Sequence, residues 1–329
     1  MIDHPQHGHG APRPELPGSQ EVFVSPVHRE FGAEDSLELS GHGPPPDPPI
    51  RRRKWGWPLL LYLASIASTF YAYYANNLPE KPADEVAADV FLMAVLYSGA
   101  IIFTLTAHEL GHFVQALLYR VPADFPYFIP MPFGPLGTMG AVILMRGNIG
   151  HRRALFDIGI SGPLAGLVPA ILFTIVGIYW SDVAPPRPNE MFVGAPLLFT
   201  WLIHGIKGPL PPGQSLELHP LAYAGWVGFL ITSLNLFPVG QLDGGHVLYA
   251  ILRRKSYPVA LFVVWGSILM MAFSGAYQWM PMALLLLMMG PLHPPTADDE
   301  EPLGAARVCL GIATLLFVIV GFTPTPFFN

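Results

Sequence analysis

The sequence predicts an all-α polytopic membrane protein: six or seven transmembrane helices, a membrane-embedded β-hairpin-like segment, and a disordered tail in front. Three observations predict it. Only 12% of the 329 residues are charged and 52% are hydrophobic, with mean hydropathy +0.43, whereas a soluble chain carries about 25% charged residues. Apolar runs recur that are long enough to cross about 30 Å of hydrocarbon as helices. Of the 17 lysines and arginines, 14 gather in the tail and connections assigned to one side of those runs. A single cysteine, Cys309, excludes an internal disulfide and any Cys-x-x-Cys knot. Any metal site must therefore draw on His, Asp or Glu. The net charge of −6 sits in tails and loops, and no nucleic-acid partner is implied.

Residues 1–50 hold ten prolines and eight acidic residues. They cannot bury enough apolar surface to offset the entropy of ordering, which predicts a disordered cytoplasmic tail without the apolar core of a signal peptide. His4, His7 and His9 read as part of that solvated tail. RRRKW at 51–55 is a basic cluster beside an interfacial tryptophan. It opens a transmembrane domain over 51–329, with a core at about 90–293. Spans are placed near 57–76, 90–118, 154–180, 221–238, 257–275 and 305–322. The run at 279–290 is short, either a seventh span or half of a bent pair. APLLFTWLIHGI at 195–206 is too short to span and is read as interfacial or re-entrant. Arg51–Lys54 put the N-terminus in the cytoplasm. Residues 120–153 and the Arg253–Lys255 cluster fall on the same side. Residues 77–89 and 181–220, with Lys81, Arg187 and Lys207, lie outside. The side of Arg307 and of the C-terminus hangs on 279–290.

HELGH at 108–112 sits inside the second apolar run. A charge at the bilayer centre costs about 2.5–3.5 kcal/mol, so buried ionisable groups need partners and are functional candidates by default. Residues four apart share a helix face, so His108 and His112 can reach one metal ion. Glu109 lies about 100° round the helix, close enough to act on a metal-activated water without ligating. This is the HExxH arrangement of zinc hydrolases. There the metal lowers the pKa of water towards 7, and the glutamate moves its proton to the leaving amine.

Catalytic zinc takes three protein ligands and keeps one open position. NLFPVGQLDGGH at 235–246 offers Asp243 and His246 as the third. Pro238 and the glycines break the helix there, which is tolerated at membrane depth only against protein or a wet cavity. His108 and His112 lie roughly 9–15 Å from the cytoplasmic end of their span at 1.5 Å per residue. Asp243 follows the cytoplasmic end of the fourth span, so both halves fall on one side.

HELGH in a span with a distal N-x-x-P-x-x-x-x-D-G, matched by Asn235, Pro238, Asp243 and Gly244, resembles the site-2 protease family of intramembrane zinc metalloproteases. SGPLAG at 161–166 is similar to the small-residue motif of that family's middle core span. GTMGAVILMR at 137–146 resembles its membrane-embedded β-hairpin. The stretch 219–246 most resembles cyanobacterial, chloroplast and related bacterial members. The resemblance implies one Zn2+ held by His108, His112 and Asp243, with Glu109 as base. His246 would then stand behind the ligands, and Asn235 would hydrogen-bond the substrate backbone or the developing oxyanion. It implies cleavage of transmembrane segments of single-span membrane proteins near the cytoplasmic face, in regulated intramembrane proteolysis. The setting implied is a bacterial cytoplasmic membrane. No stretch in 120–153 has room for an inserted PDZ domain, and no nucleotide-binding module is expected after 322.

TMGAVILM could offer a strand edge to an unwound substrate, with glycines 134, 137 and 140 allowing close approach; the alternative is a plug in the cytoplasmic mouth. Gly162 and Gly166 would let the third span pack tightly on the HELGH span. Asp157 reads as an interfacial ion pair with Arg152 and Arg153. His204 and His219 read as structural, 293–302 as a solvated acidic connector, and the prolines of 181–190 and 209–220 as marks of an extended outer loop. A membrane metal-ion transporter and a non-catalytic membrane scaffold are the competing readings. Transporters usually show internal repeats, and none is evident here.

Overall fold

The computed structural model describes residues 55–79, 84–145, 149–186 and 192–328. The expected tail at 1–50, the basic cluster 51–54, and Lys81, Arg146 and Arg187 lie outside the described residues.

Helix α1 covers Gly56–Asn77 and α2 covers Asp84–Leu118. Asp84 and Glu85 lie in the first turn of α2, where carboxylates complement the positive end of the helix dipole. The helix closes in the Schellman pattern: Arg120 N–H reaches Leu117 O (3.0 Å) and Val121 N–H reaches Ala116 O (2.8 Å). Arg120 takes the left-handed position at φ +56° that glycine usually fills. Helix α3 covers Arg152–Trp180. The connection after α3 holds α4, Leu197–Lys207, and then α5 runs over Pro220–Asn235. Helix α5 is buried on every side: Trp226, Val227 and Phe229 are 0% exposed and pack with Tyr97 and Ile101 of α2. An all-round apolar helix of this kind belongs at the centre of a bundle.

The fourth run ends as a helix at Asn235, three residues short of expectation. Pro238 has no N–H to continue the ladder, and residues 236–242 fold back as a loop. Helix α6, Asp243–Leu252, begins on Asp243 itself. It is followed by a 3-10 turn at Arg253–Lys255 and by α7, Ser256–Ser274. Helix α8 covers Met280–Met289 and α9 covers Ala305–Gly321. Among the described residues, three helical runs are long and apolar enough to cross a membrane: Asp84–Leu118, Arg152–Trp180 and Asp243–Ser274. The last is bent at Arg253, which sits at φ +55°.

The chain is mostly helical, but not purely so. Strands β1 (Tyr127–Pro130) and β2 (Thr138–Val142) pair antiparallel and form the expected hairpin. The turn carbonyls are held by hydroxyls from three helices. Ser68 donates to Gly137 O (2.7 Å), Tyr97 to Leu136 O (2.7 Å) and Tyr223 to Pro135 O (3.2 Å). Gly134, Gly137 and Gly140 all have positive φ, and a Cβ on Gly137 would lie 2.5 Å from Thr69 Cα. All three thus stand where the backbone favours glycine, and Gly137 also packs on α1. The connection between α3 and α5 is also not merely extended loop. Strand β3 (Asp182–Ala184) pairs with β5 (Ser215–Glu217), and β4 (Phe192–Val193) pairs with β6 (Phe327–Phe328) near the C-terminus. Backbone groups that cannot join a helix find partners this way.

Two sequence expectations at the opposite end of the bundle are corrected. Asp157 does not pair with Arg152 or Arg153. It takes both nitrogens of Arg307 on α9 (2.8 and 2.9 Å) and the hydroxyl of Tyr119. The acidic connector is not simply solvated. Its backbone pairs with 149–152, through Ala297 N–H to Ile149 O, Asp298 N–H to Gly150 O and Arg152 N–H to Asp298 O. Glu301 meets His151 (2.8 Å) and Arg153 (3.1 Å). The connector is a strap across that end of the bundle. Asp157→Asn is expected to lower stability by about 1.5–3 kcal/mol, the usual worth of hydrogen bonds to a charged group; the thermal midpoint in detergent measures it.

Candidate metal centre

His108 and His112 lie one helical turn apart on the face of α2 that meets α3. That face is possible because α3 presents no side chain there. A Cβ on Gly162 would stand 2.0 Å from His112 Nε2, and one on Gly166 would stand 2.9 Å from His108 Cβ. Gly111 of α2 is as close to Ser161 O, at 2.5 Å. The expected tight packing of these spans is therefore present, and its purpose is visible: the glycines make room for the imidazoles.

Asp243 arrives from the other direction. Gly244 and Gly245 let the 236–242 loop fold hard against the start of α6; Cβ atoms there would lie 2.0 Å from Leu236 O and 2.3 Å from Gly240 O. Asp243 Oδ2 stands 3.2 Å from His108 Nε2 and 3.2 Å from His112 Nε2, and the two nitrogens are 3.2 Å apart. His108, Glu109 and His112 are 3%, 3% and 7% exposed. Among the described residues this is the group of three such side chains that could hold one ion.

The donor set fits zinc. Two imidazole nitrogens and a carboxylate oxygen are its usual ligands, and tetrahedral bonds of 2.0–2.1 Å place donors about 3.3 Å apart. The neighbouring hydrogen bond fits as well. His112 Nδ1 lies 2.7 Å from Ile158 O of α3. A carbonyl can only accept, so Nδ1 carries the proton and the Nε2 lone pair points at the cluster. Asn235, the last residue of α5, brings its Nδ2 to 3.3 Å from His108 Nε2. Glu109, Asn235 and the three donors therefore converge from α2, α5 and α6.

His246 stands apart from the triangle. Its Nδ1 lies 2.6 Å from Nε2 of His293 on the strap. His293 Nδ1 is 2.6 Å from Pro294 O and so carries its proton, and burial pushes the His293 imidazole pKa down. The neutral His293 Nε2 then accepts from His246. His293 also stacks on Tyr249 (centroids 4.5 Å apart), whose hydroxyl donates to Asp299 (2.6 Å). Sequence reasoning missed His293, because a histidine in an acidic connector carries no local signal of its partner. His204 and His219 are structural, as expected: His204 bonds Thr200 O and His219 caps α5.

Comparison with known proteins agrees with this geometry. The profile of peptidase family M50 matches residues 96–274. A protein of Arabidopsis thaliana named "Probable zinc metalloprotease EGY2, chloroplastic" is 26% identical over 272 residues, 78% of this chain and 47% of that protein. Another from the same plant, named as EGY1 of the same series, is 27% identical over 289 residues, 79% of this chain and 52% of that protein. EGY1 of Oryza sativa subsp. japonica is 29% identical over 227 residues, 66% of this chain and 38% of that protein. The chain spans about half the length of the Arabidopsis relatives. No solved structure matches it. The family match takes in HELGH, the small-residue face of α3 and the Asp243 loop, and extends over more than half of the sequence. The chain belongs to peptidase family M50.

Proposed function

We propose that the chain is an intramembrane zinc endopeptidase that hydrolyses peptide bonds in transmembrane segments of single-span membrane proteins near the cytoplasmic face, in regulated intramembrane proteolysis. The observation that carries this reading is a zinc-sized triangle of His108, His112 and Asp243 with Glu109 buried beside it, all inside apolar helices.

In this reading His108, His112 and Asp243 hold the ion. Bound zinc supplies Lewis acidity, polarising a carbonyl and lowering the pKa of water. Glu109 takes the proton of the attacking water and delivers it to the amide nitrogen as the C–N bond breaks. Asn235 Nδ2 donates to the substrate carbonyl oxygen, where negative charge develops. A helical substrate must first unwind, and its freed backbone groups then need partners. Among the described residues strand β2 has a strand neighbour on one side only, so its other edge can pair with that backbone. Met139 and Val142, 61% and 46% exposed, would meet the substrate side chains. A buried carboxylate beside three donors favours hydrolysis over transport or a scaffold, neither of which needs a base.

The chain would cross the membrane seven times, through α1, α2, α3, α5, α7, α8 and α9. What supports this is the direction of α9: Arg307 in its first turns meets Asp157, and β6 beyond its end pairs with β4 of the outer connection. Trp279 Nε1 donates to Pro324 O (2.6 Å) at that outer end, while His293, after α8, reaches His246. The C-terminus would then be outside and the N-terminus cytoplasmic, with the basic loops inside, in a bacterial cytoplasmic membrane. A membrane-impermeant label reaching a C-terminal cysteine from the cytoplasmic side would refute that topology.

The test of the activity uses purified protein in proteoliposomes with a model single-span substrate. Wild type is expected to hold one zinc and to cleave. A chelator should abolish cleavage and added zinc restore it. Asp243→Ala should lose both metal and activity. Zinc-independent cleavage, or no cleavage by zinc-loaded wild type, would refute the reading.

A further inference from the structure

Arg152 is a charged residue only 8% exposed. It opens α3, and its guanidinium donates to three backbone carbonyls. Nε reaches Ala250, Nη2 reaches Ile251 (3.1 Å) and Nη1 reaches Glu301 of the strap (3.4 Å). Ala250 and Ile251 belong to the last turn of α6, whose first residue is Asp243. A helix leaves its last four carbonyls without partners within the helix, and partial negative charge collects there. Tyr249 O is taken by the N–H of Arg253; Arg152 takes the next two and places a cation at that end.

The grip matters because of what lies at the other end. Helix α6 has ten residues, about 15 Å at 1.5 Å per residue. Its near end carries Asp243, and its flank meets α3 again at Gly159, where a Cβ would lie 2.9 Å from His246 Cβ. Helix α3 thus holds α6 at the far end through Arg152 and at its first turn through Gly159. The same helix faces His112 and His108 through Gly162 and Gly166. One rigid element is the common reference for all three donors.

We propose that Arg152 is a positioning residue of the metal centre: it anchors α6 to α3 and thereby sets Asp243 against the two histidines. This rests on the metal-centre reading above. A pivot of α6 by only about 4° about its far end moves Asp243 by roughly 1 Å. That exceeds the roughly 0.2 Å tolerance of a ligand bond. Lysine at this position keeps the charge but loses the planar fork that reaches several acceptors at once.

The test measures zinc affinity of the full chain in detergent, by competition with a chromophoric chelator. Wild type, Arg152→Lys, Arg152→Met, Asp157→Asn and Asp243→Ala are compared, and the visible absorption of the cobalt-substituted proteins reports donor geometry. Outer positioning groups typically change metal affinity by about 10–100-fold. Arg152→Lys is expected near the lower figure and Arg152→Met near the upper, each with an altered cobalt spectrum. Asp157→Asn breaks a tie at the same end of α3, to Arg307 and Tyr119, in which no side chain of α6 takes part. It should lower the thermal midpoint but keep wild-type affinity and spectrum, which separates positioning from general stabilisation. If Arg152→Met does not fold, Arg152→Lys decides. Wild-type affinity and spectrum in the folded Arg152 variants would overturn the proposal while leaving the metal centre intact. Equal zinc binding by wild type and Asp243→Ala would instead overturn the metal-centre reading, and this proposal with it.

Discussion

Replacing Glu109 by glutamine should leave the zinc content of the protein at the wild-type level and lower the cleavage rate by at least 10²–10⁴-fold, the usual contribution of a positioned general base. Glutamine has the shape of glutamate but no basic oxygen. It is not one of the three donors, whose mutual 3.2 Å separations come from His108, His112 and Asp243 alone. Metal retention and loss of turnover should therefore separate cleanly. The measurement pairs zinc stoichiometry with the initial rate on a single-span substrate. A Glu109→Gln protein that loads zinc and still cleaves at the wild-type rate would remove the base from the mechanism. One that loses its zinc would show that Glu109 supports the ion rather than the reaction.

Replacing Gly162 by alanine should empty the metal centre without touching a ligand. The added Cβ would stand 2.0 Å from Nε2, 2.3 Å from Cδ2 and 2.5 Å from Cε1 of His112. No real contact of that kind survives, so either α3 or the imidazole must move. Helix α3 is held between α2 and α5 and by Arg152, which leaves the imidazole to swing out and give up its bond to Ile158 O. Overpacking of this size costs about 1–3 kcal/mol, so the fold should persist while zinc and cleavage are lost. Gly99, on the same helix as the histidines, has nothing within 4 Å of its built Cβ. Gly99→Ala is the control and should keep both. Wild-type zinc affinity in Gly162→Ala would show that the α2–α3 interface yields more easily than its geometry implies.

Much of the helical layout was legible beforehand, because run length and hydrophobicity are local properties. The runs near 57–76, 90–118, 154–180, 257–275 and 305–322 became α1, α2, α3, α7 and α9 within a few residues, apart from an earlier start of α2. The break near Pro238 was legible too, since proline acts on its own turn. The errors share one cause. Asp157 follows Arg152 and Arg153 by four or five residues and looked like their natural partner. Yet a helix fixes only which way a side chain leaves the backbone, not which neighbouring helix stands there. Helix α9, 150 residues on, put Arg307 before Asp157. Helix α6 put its open carbonyls before Arg152. The same holds for the connector 293–302: its acidic composition predicted solvation, and its backbone groups instead paired with 149–152. The β3–β5 and β4–β6 pairs were invisible because strands of two or three residues carry no period to read.

The sequence by itself determined the chemistry available: two imidazoles on one helix face, since four-residue spacing is a property of the helix alone, with a carboxylate about 100° round from them. It also limited the third donor to Asp243 or His246 and required membrane burial for all of them. Which of the two stands against the imidazoles is a matter of the tertiary structure. The loop at 236–242 delivers Asp243 to the imidazoles, while His246, one turn further along α6, is carried past them to His293 on the strap. That choice depends on where α6 starts and on what grips its far end. Both are set by contacts between segments distant in the chain, and no local pattern encodes them.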